Sequence, residues 1–364
     1  MDDLERNVWC LLGLPFDAVT MDETIERIHH AVRTREKCFI STPNLNFLIA
    51  SQKDSDFRDS VINSDLSVAD GKPLIWIARL LNIPLPERVA GSDIIDRLIE
   101  NEEGYKSIKV FFFGGQDGVA KEACEKLKAQ SKGLQCVGFH NPGFGSIEEM
   151  STPAIINAIN QADADFIIVS LGAKKGQSWI QLNKNKLEAP VISHLGAVVN
   201  FIAGTVKRAP QMMQEFGLEW LWRIKEEPAL YSRYILDGSS FINLLFTKVL
   251  IYRLVNKNND KSTKKASITM ERVNHKSVII YLTGNLTDNN KLELIDLFKA
   301  DENKLNNIKM VINSGTHLDG SFLALFLMMR KQSFINGGTF SIETDDLFLK
   351  KIFNYNSCNY LIEQ

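Results

Sequence analysis

Between residues 36 and 204 the chain repeats one pattern: a short, almost wholly apolar run, then a glycine or small polar residue, then an amphipathic stretch. CFIST, VFFFGG, DFIIVSLG and VISHLG are its clearest instances, with LSVADG as a shorter one. Apolar runs that lack the alternation of a half-exposed strand suit strands buried on both faces. Strand followed by helix several times over leaves few options, and implies an α/β fold with a mainly parallel, Rossmann-like sheet covered by helices on both faces. Such a sheet holds ligands beyond the carboxyl ends of its strands. The residues that follow each apolar run are therefore the candidates for function.

At 364 residues the chain suits two domains. Residues 1–205 carry the strand-helix repeats. Residues 206–255 are helical, basic and rich in tryptophan, and read as an appendage. Residues 256–266 form a polar, lysine-rich linker, and residues 267–364 follow with the order ββαβαβα. The charges, 42 basic against 44 acidic, give a net −2, so no global field attracts nucleic acid. Five cysteines (Cys10, Cys38, Cys124, Cys136, Cys358) lack the spacing of a zinc site or a disulfide framework, and buried reduced thiols are expected. The first residues have neither the basic nor the apolar region of a signal peptide, which points to the cytoplasm. Phe241 to Val255 is apolar on nearly every side and reads as too short to span a bilayer but suited to lying in its interface.

Taken singly, the strand-end residues leave alternatives open. Asp70, followed by Gly71, either projects into the cleft or caps the helix that begins near Pro73. Thr42 closes CFIST and would lie at a strand end next to that of Asp70, or would start a helix expected from Asn44 to Asp59. Gly114 and Gly115 let backbone N–H groups approach a phosphate at a helix N-terminus, or else make a tight turn with no ligand. The strand after them leads to His140 rather than to the acidic residue that would hold an NAD ribose, which argues against a dehydrogenase. Lys174, Lys175 and Gln177 follow Gly172 at the next turn and suit a diphosphate or a solvated loop. His194 ends VISH in a structural or a binding role. Lys207, Arg208, Arg223 and Arg233 lie among bulky apolar residues and suit anionic headgroups or a lipid diphosphate.

Three segments go further when taken together. TPNLNF with SDLSVADGKPLIWIARLLNIPLPERVAGSDI, then VFFFGGQDGVA, then LGAKKGQSWI with LGAVVNFIAGTVKRAPQMMQEFGLEWLWRIKEEPALYSRY, resemble the WecG/TagA/CpsF family, glycosyltransferase family 26, over about residues 8 to 238. The resemblance implies an inverting transferase that moves an N-acetylhexosamine-type or uronic sugar from a UDP-sugar to a polyprenyl-diphosphate-linked sugar, in bacterial surface polysaccharide synthesis at the inner face of the cell membrane. It implies Asp70 as base, assisted by Thr42, with Asn44, Gly71 and Arg88 in the substrate site. Gly114 and Gly115 would lie on the nucleotide side, and Gly172, Lys175, Gln177, His194, Lys207 and Arg208 would line the substrate site. Arg223 and Arg233 would reach the acceptor diphosphate. Where that family reads GAPKQE this chain has Gly172-Ala173-Lys174-Lys175-Gly176-Gln177, so only Lys175 carries over directly. No DxD motif appears on a flanking strand, and neither a metal nor another cofactor is expected.

Residues 267–364 resemble a STAS domain in element order and in THLDGSFLALFL, which would provide a protein partner or self-association. Asp319 and Ser321 there are a helix cap or, less simply, a phosphorylation site. Two other functions stay open: a non-catalytic sugar-nucleotide sensor that signals through the STAS-like domain, and a nucleotide-dependent oxidoreductase.

Overall fold

The computed structural model describes residues 3–101, 103–259, 265–299 and 306–363. Its chain opens with an antiparallel hairpin, β1 (Val8–Leu11) and β2 (Leu14–Asp17). Six strands then form one sheet: β3 (Cys38–Ser41), β4 (Leu66–Ser67), β5 (Ile108–Gly114), β6 (Leu134–His140), β7 (Phe166–Ser170) and β8 (Val191–His194). They lie in the order β4-β3-β8-β7-β5-β6, with every neighbouring pair parallel. This is the Rossmann-like arrangement that the apolar runs imply.

Alternate residues of these strands feed two cores, as the pleat requires. Ile40, Phe112, Ile168 and Val191 pack with residues of the helices Met21–Thr34, Gly91–Glu100 and Val119–Gln130. Phe39, Phe113, Ile167 and Ile192 pack on the opposite face with residues of Pro153–Gln161 and Ala173–Asn183. Helix starts follow local chemistry. Thr20 and Glu23 form a reciprocal capping box ahead of Met21–Thr34. The helix expected from Asn44 to Asp59 is two: Leu45–Ser51, capped by Asn44, and Ser55–Ile62, capped by Asp54, whose carboxylate accepts from the Phe57 N–H at 3.0 Å. Cys124 and Cys136 are joined as a disulfide, contrary to the expectation of free thiols, because the helix bearing Cys124 packs along β6 with a Cα–Cα distance of 5.2 Å.

By its contacts the chain forms two units, and they do not follow its linear order. The central unit comprises Val19–Trp76 and Leu85–Gly238; the terminal unit comprises Met1–Ala18, Ile77–Pro84 and Ser239–Gln364. The sequence division placed the first 18 residues with the transferase core, but the hairpin packs with the C-terminal elements. There a second sheet joins β9 (Ser267–Asn274), β10 (Ser277–Thr283), β12 (Asn307–Ile312) and β14 (Phe340–Glu343) in the order β14-β12-β10-β9, beside a short parallel pair, β11 (Asn285–Leu286) and β13 (His317–Leu318). The helix Gly320–Ile335 is buried around most of its circumference, which demands cover on more than one side. At Gly320 an added Cβ would lie 3.3 Å from the Cys10 carbonyl, so the hairpin backbone supplies part of that cover.

Two expectations about the appendage change. Helical structure runs from Pro228 to Val255, 28 residues that contain an 18-residue window of mean hydropathy 1.3, long and apolar enough by length and composition alone to cross a membrane. The polar run Asp237-Gly238-Ser239-Ser240 does not interrupt it, because Gly and Ser cost a helix only ~1 kcal/mol or less each. The helix Leu250–Asn259 also continues into the expected linker 256–266, of which residues 260–264 lie outside the described residues.

Candidate functional site

The carboxyl edge of the parallel sheet collects the strand-end residues in spatial order. Asp70 follows β4, Thr42 follows β3, His194 ends β8, Gly172 follows β7, and Gly114 and Gly115 lie at the end of β5. The chain leaves β5 for β6 on one side and β7 for β8 on the other, so the winding of the sheet reverses between β5 and β7.

Asp70 and Thr42 sit at neighbouring strand ends. The Asp70 N–H donates to the Pro43 carbonyl at 2.9 Å, and Val68 N–H to Ser41 at 3.0 Å, so the β3–β4 pairing continues up to the carboxylate. Gly71 has φ +142°, a backbone conformation that suits glycine and turns the chain sharply after Asp70. The carboxylate does not cap the helix Lys72–Leu80 that follows; it accepts from the Gly91 N–H at 3.4 Å. Thr42 is no cap either, since Asn44 caps its helix by accepting from Phe47 N–H at 3.2 Å. A Cβ at Gly91 would lie 3.5 Å from the Thr42 Oγ1 and 2.6 Å from Leu195. Gly91 therefore lets one backbone position meet both Thr42 and Asp70.

A cluster of charges surrounds Asp70. Arg88 donates to Asp93 at 2.6 Å and pairs with Glu219. Arg208 pairs with Asp93 and Asp96 and donates to Ser92 at 3.0 Å and to Gln214 at 3.3 Å. Two guanidinium groups thus face four carboxylates: Asp70, Asp93, Asp96 and Glu219. Burial pushes the Asp70 carboxyl up to about 7; Arg88 and the Gly91 N–H act in the opposite sense, and the negative charges of Glu219 and Asp93 add to the rise. Glu219 and Asp96 are also raised, mainly by burial. Gly91, Asp93, Asp96 and Glu219 were not read from the sequence as site residues. The position of Glu219 in GLEWLWR, far along the chain from PERVAG, gave no sign that it meets Arg88.

Further along the edge the expected phosphate groups are already engaged. The Gly115 N–H donates to the Ser170 carbonyl at 2.8 Å, and a Cβ at Gly114 would come within 2.7 Å of that same oxygen. Both glycines have φ near +95°, so this turn is closed against β7. Asp70 stands four strand spacings away, roughly 19 Å at ~4.8 Å per strand. The glycine pair accordingly does not face Asp70 across a single small group. Lys175 donates to the Gly145 carbonyl at 2.8 Å, and Lys174 pairs with Asp54 at 2.5 Å. Gln177 is fully enclosed and donates to the Ser41 hydroxyl at 3.2 Å, so it acts on the edge only through the residue preceding Thr42. Gly172 begins the helix Ala173–Asn183 without a side-chain cap. Among the described residues no group of three or more His, Cys, Asp or Glu side chains is placed to hold a metal ion.

The sequence pattern of the Glycosyl transferase WecG/TagA/CpsF family matches residues 9–255. The chain belongs to this family. Three Staphylococcus aureus relatives, from strains NCTC 8325 / PS 47, COL and Mu50 / ATCC 700699, are each named N-acetylglucosaminyldiphosphoundecaprenol N-acetyl-beta-D-mannosaminyltransferase. Each is 25% identical to this chain over 215 residues, which cover 58% of the chain and 82% of the relative. In this WecG/TagA/CpsF glycosyltransferase the matched region ends at the long helix, before β9.

The appendage residues of the family match are spread out. Arg208 joins the Asp70 cluster, whereas Lys207 is exposed and its carbonyl accepts from the Trp222 indole at 3.0 Å. Arg223 pairs with Glu227 and lies over the Phe201 ring at 5.3 Å. Arg233 is exposed beside Tyr234. In the terminal unit Asp319 caps Gly320–Ile335, accepting from the Ser321 and Phe322 N–H groups and from the Ser321 hydroxyl at 2.5 Å. Ser321 is enclosed there, which favours the cap over a phosphorylation site.

Proposed function

We propose that the protein is an inverting hexosyltransferase that moves a sugar of the N-acetylhexosamine or uronic class from a UDP-sugar to a sugar borne on polyprenyl diphosphate. The observation that carries this reading is a carboxyl group held at about 7 at a strand end beside a threonine hydroxyl. An acceptor hydroxyl must lose its proton as it attacks the anomeric carbon, and a base with a pKa near the working pH does this best, for ~10²–10⁴-fold in rate. Asp70 is that base. The names of the staphylococcal relatives support the lipid-diphosphate acceptor and the N-acetylhexosamine donor.

Strand order supports a definite layout for the substrates. The acceptor hydroxyl lies at Asp70 and Thr42, and the donor runs along the edge away from it. Its diphosphate then comes nearest the uncapped N-terminus of Ala173–Asn183, and its nucleoside nearest the Gly114-Gly115 turn. The exposed apolar residues Ile242, Phe246 and Leu254 on the long helix support docking on the membrane that holds the acceptor. The reaction runs without a metal, so turnover persists in EDTA.

Asp70→Asn tests the assignment. Turnover measured as UDP release with a lipid-diphosphate sugar acceptor falls by ~10²-fold or more, while UDP binding stays within about twofold. Near-normal turnover in the purified variant rejects Asp70 as base.

A further inference from the structure

Two thiols meet inside the terminal unit. Cys10 on β1 and Cys358, which follows the helix Leu347–Tyr355, are both fully enclosed, and their Sγ atoms lie 3.6 Å apart. The Cys358 thiol donates to the Asn356 carbonyl at 3.4 Å, so the Cys10 S–H is the one directed at the other sulfur. Contacts that do not involve sulfur clasp the backbone on both sides of the pair. The hairpin turn at Gly13, with φ +86°, fits so closely against Ser357 that a Cβ there would come within 2.7 Å of the Ser357 carbonyl oxygen. The Tyr360 hydroxyl donates to the Gly13 carbonyl at 3.4 Å. With the two segments held in this way, roughly 1.5 Å of side-chain movement brings the sulfurs to the ~2.05 Å of a covalent bond.

A cation is aimed at the same place. The long helix widens to π geometry over Leu245–Val249, a departure that occurs mostly as single turns and frequently at functional positions. Lys248 lies within that turn, half-buried, and donates to the Ser357 hydroxyl at 2.7 Å. Burial lowers the Lys248 pKa, and Cys358 acts in the opposite sense. That attraction is mutual, so the ammonium favours a thiolate at Cys358. A thiolate beside a cation is the reactive form of cysteine, and a second thiol within reach can resolve its oxidised product as a disulfide.

We infer that Cys10 and Cys358 form a redox-modification site for a peroxide, with Cys358 as the thiol oxidised first and Cys10 as the resolving thiol. The Cys358 thiolate attacks a peroxide oxygen; the O–O bond breaks, the sulfur becomes a sulfenic acid, and the departing hydroxide takes up the proton that Cys358 released. The Cys10 sulfur then attacks the sulfenic sulfur. An S–S bond forms, the S–O bond breaks, and the oxygen leaves as water with the Cys10 proton. Two electrons from the pair thus reduce one peroxide to two waters. Enclosure selects the oxidant, since peroxide is close to water in size and needs only a local opening around Cys358 to enter.

The test treats the full-length protein with hydrogen peroxide, caps remaining thiols with N-ethylmaleimide in denaturant, and maps the unreduced digest by mass spectrometry. A linked pair of peptides carrying Cys10 and Cys358, lighter by two hydrogens than its free parts, is expected. The linked protein also unfolds several degrees higher, because the bond constrains the unfolded chain. In Cys10→Ala the Cys358 sulfenic acid persists and is trapped by dimedone, whereas in Cys358→Ala the Cys10 thiol stays reduced. Lys248→Met keeps the length of the side chain and removes its charge, and slows linkage about three- to tenfold. The wild-type map decides the pairing even if a cysteine variant does not fold. Recovery of both cysteines as capped thiols, at a dose that converts the exposed Met212 to its sulfoxide, overturns the inference, as do links from either cysteine to Cys38 in place of the expected pair. Linkage at the wild-type rate in Lys248→Met overturns the part given to the cation and, with it, the order in which the thiols react.

Discussion

The molecule contains two clusters of charge, one buried and one half-buried, and among the described residues they are balanced differently. In the terminal unit Arg6 donates to both oxygens of Asp17, at 3.1 and 2.7 Å, and to Asp3 at 2.8 Å, while the buried Lys331 also bonds Asp3 at 2.8 Å. Among the described residues two cations meet two carboxylates there, and the carboxylates beside it hold Arg6 more firmly protonated than usual, against the effect of its burial. In the central unit two arginines meet four carboxylates, and three of those four are raised. The terminal cluster is more deeply enclosed than the central one, and the balance of cations and carboxylates differs as well. A balanced cluster resists titration and fixes one segment on another, whereas one with surplus carboxylates keeps a proton exchangeable near neutral pH.

Breaking the balanced cluster has the largest effect on stability. Arg6→Ala removes a cationic partner of Asp17, whose side chain is fully enclosed, and breaking a buried ion pair from one side costs about 3–5 kcal/mol. The expected result is an early unfolding transition in urea that releases the N-terminal hairpin to protease. Replacing both partners, as Arg6→Met with Asp17→Leu, restores most of the loss, because a packed apolar pair of similar volume is nearly equivalent. A single substitution that leaves the unfolding midpoint unchanged refutes the role given to the network.

What the sequence disclosed follows the range of the interactions involved. The parallel sheet was legible because apolar runs and helix periodicity are local, and Thr42 and Asp70 came with it, since consecutive strands of such a sheet are commonly neighbours. The capping roles of Asn44 and Asp319 were open to reading for the same reason, although Asn44 rather than Thr42 proved to be the cap. Arg88 with Glu219, 131 residues apart, and Arg6 with the helix of Met328, 322 residues apart, have no local signature. The glycine pair shows a subtler limit. Its sequence fits a phosphate turn and a tight packing turn equally well, and only the bond from Gly115 to Ser170 distinguishes them.

The unbalanced cluster makes stability depend on pH. With its carboxyl at about 7 in the fold and near 3.8 when unfolded, Asp70 holds a proton in the folded state that the unfolded chain has already released between those values. Folding stability is therefore lost as pH rises from about 4 through 7, by at most ~4 kcal/mol at ~1.4 kcal/mol per unit. Asp70→Asn cannot titrate, so its thermal stability should match wild type at pH 4 and exceed it by several degrees at pH 8. A gap that does not change with pH contradicts the raised carboxyl.

The smallest effect is also the most specific to the cluster. Glu219→Gln removes a like charge that raises the Asp70 carboxyl, and it leaves Arg88 freer to stabilise the Asp70 carboxylate; both changes lower the Asp70 pKa. The acidic limb of the kcat/KM profile should move down by about half to one pH unit, since kcat/KM reports the ionisation of the free enzyme. Turnover at pH 8, where Asp70 is ionised in either form, should change little. A general loss of activity at every pH instead assigns Glu219 to holding Arg88 in place, whereas a shifted limb with a preserved plateau shows that the surplus of carboxylates sets the proton affinity of the base.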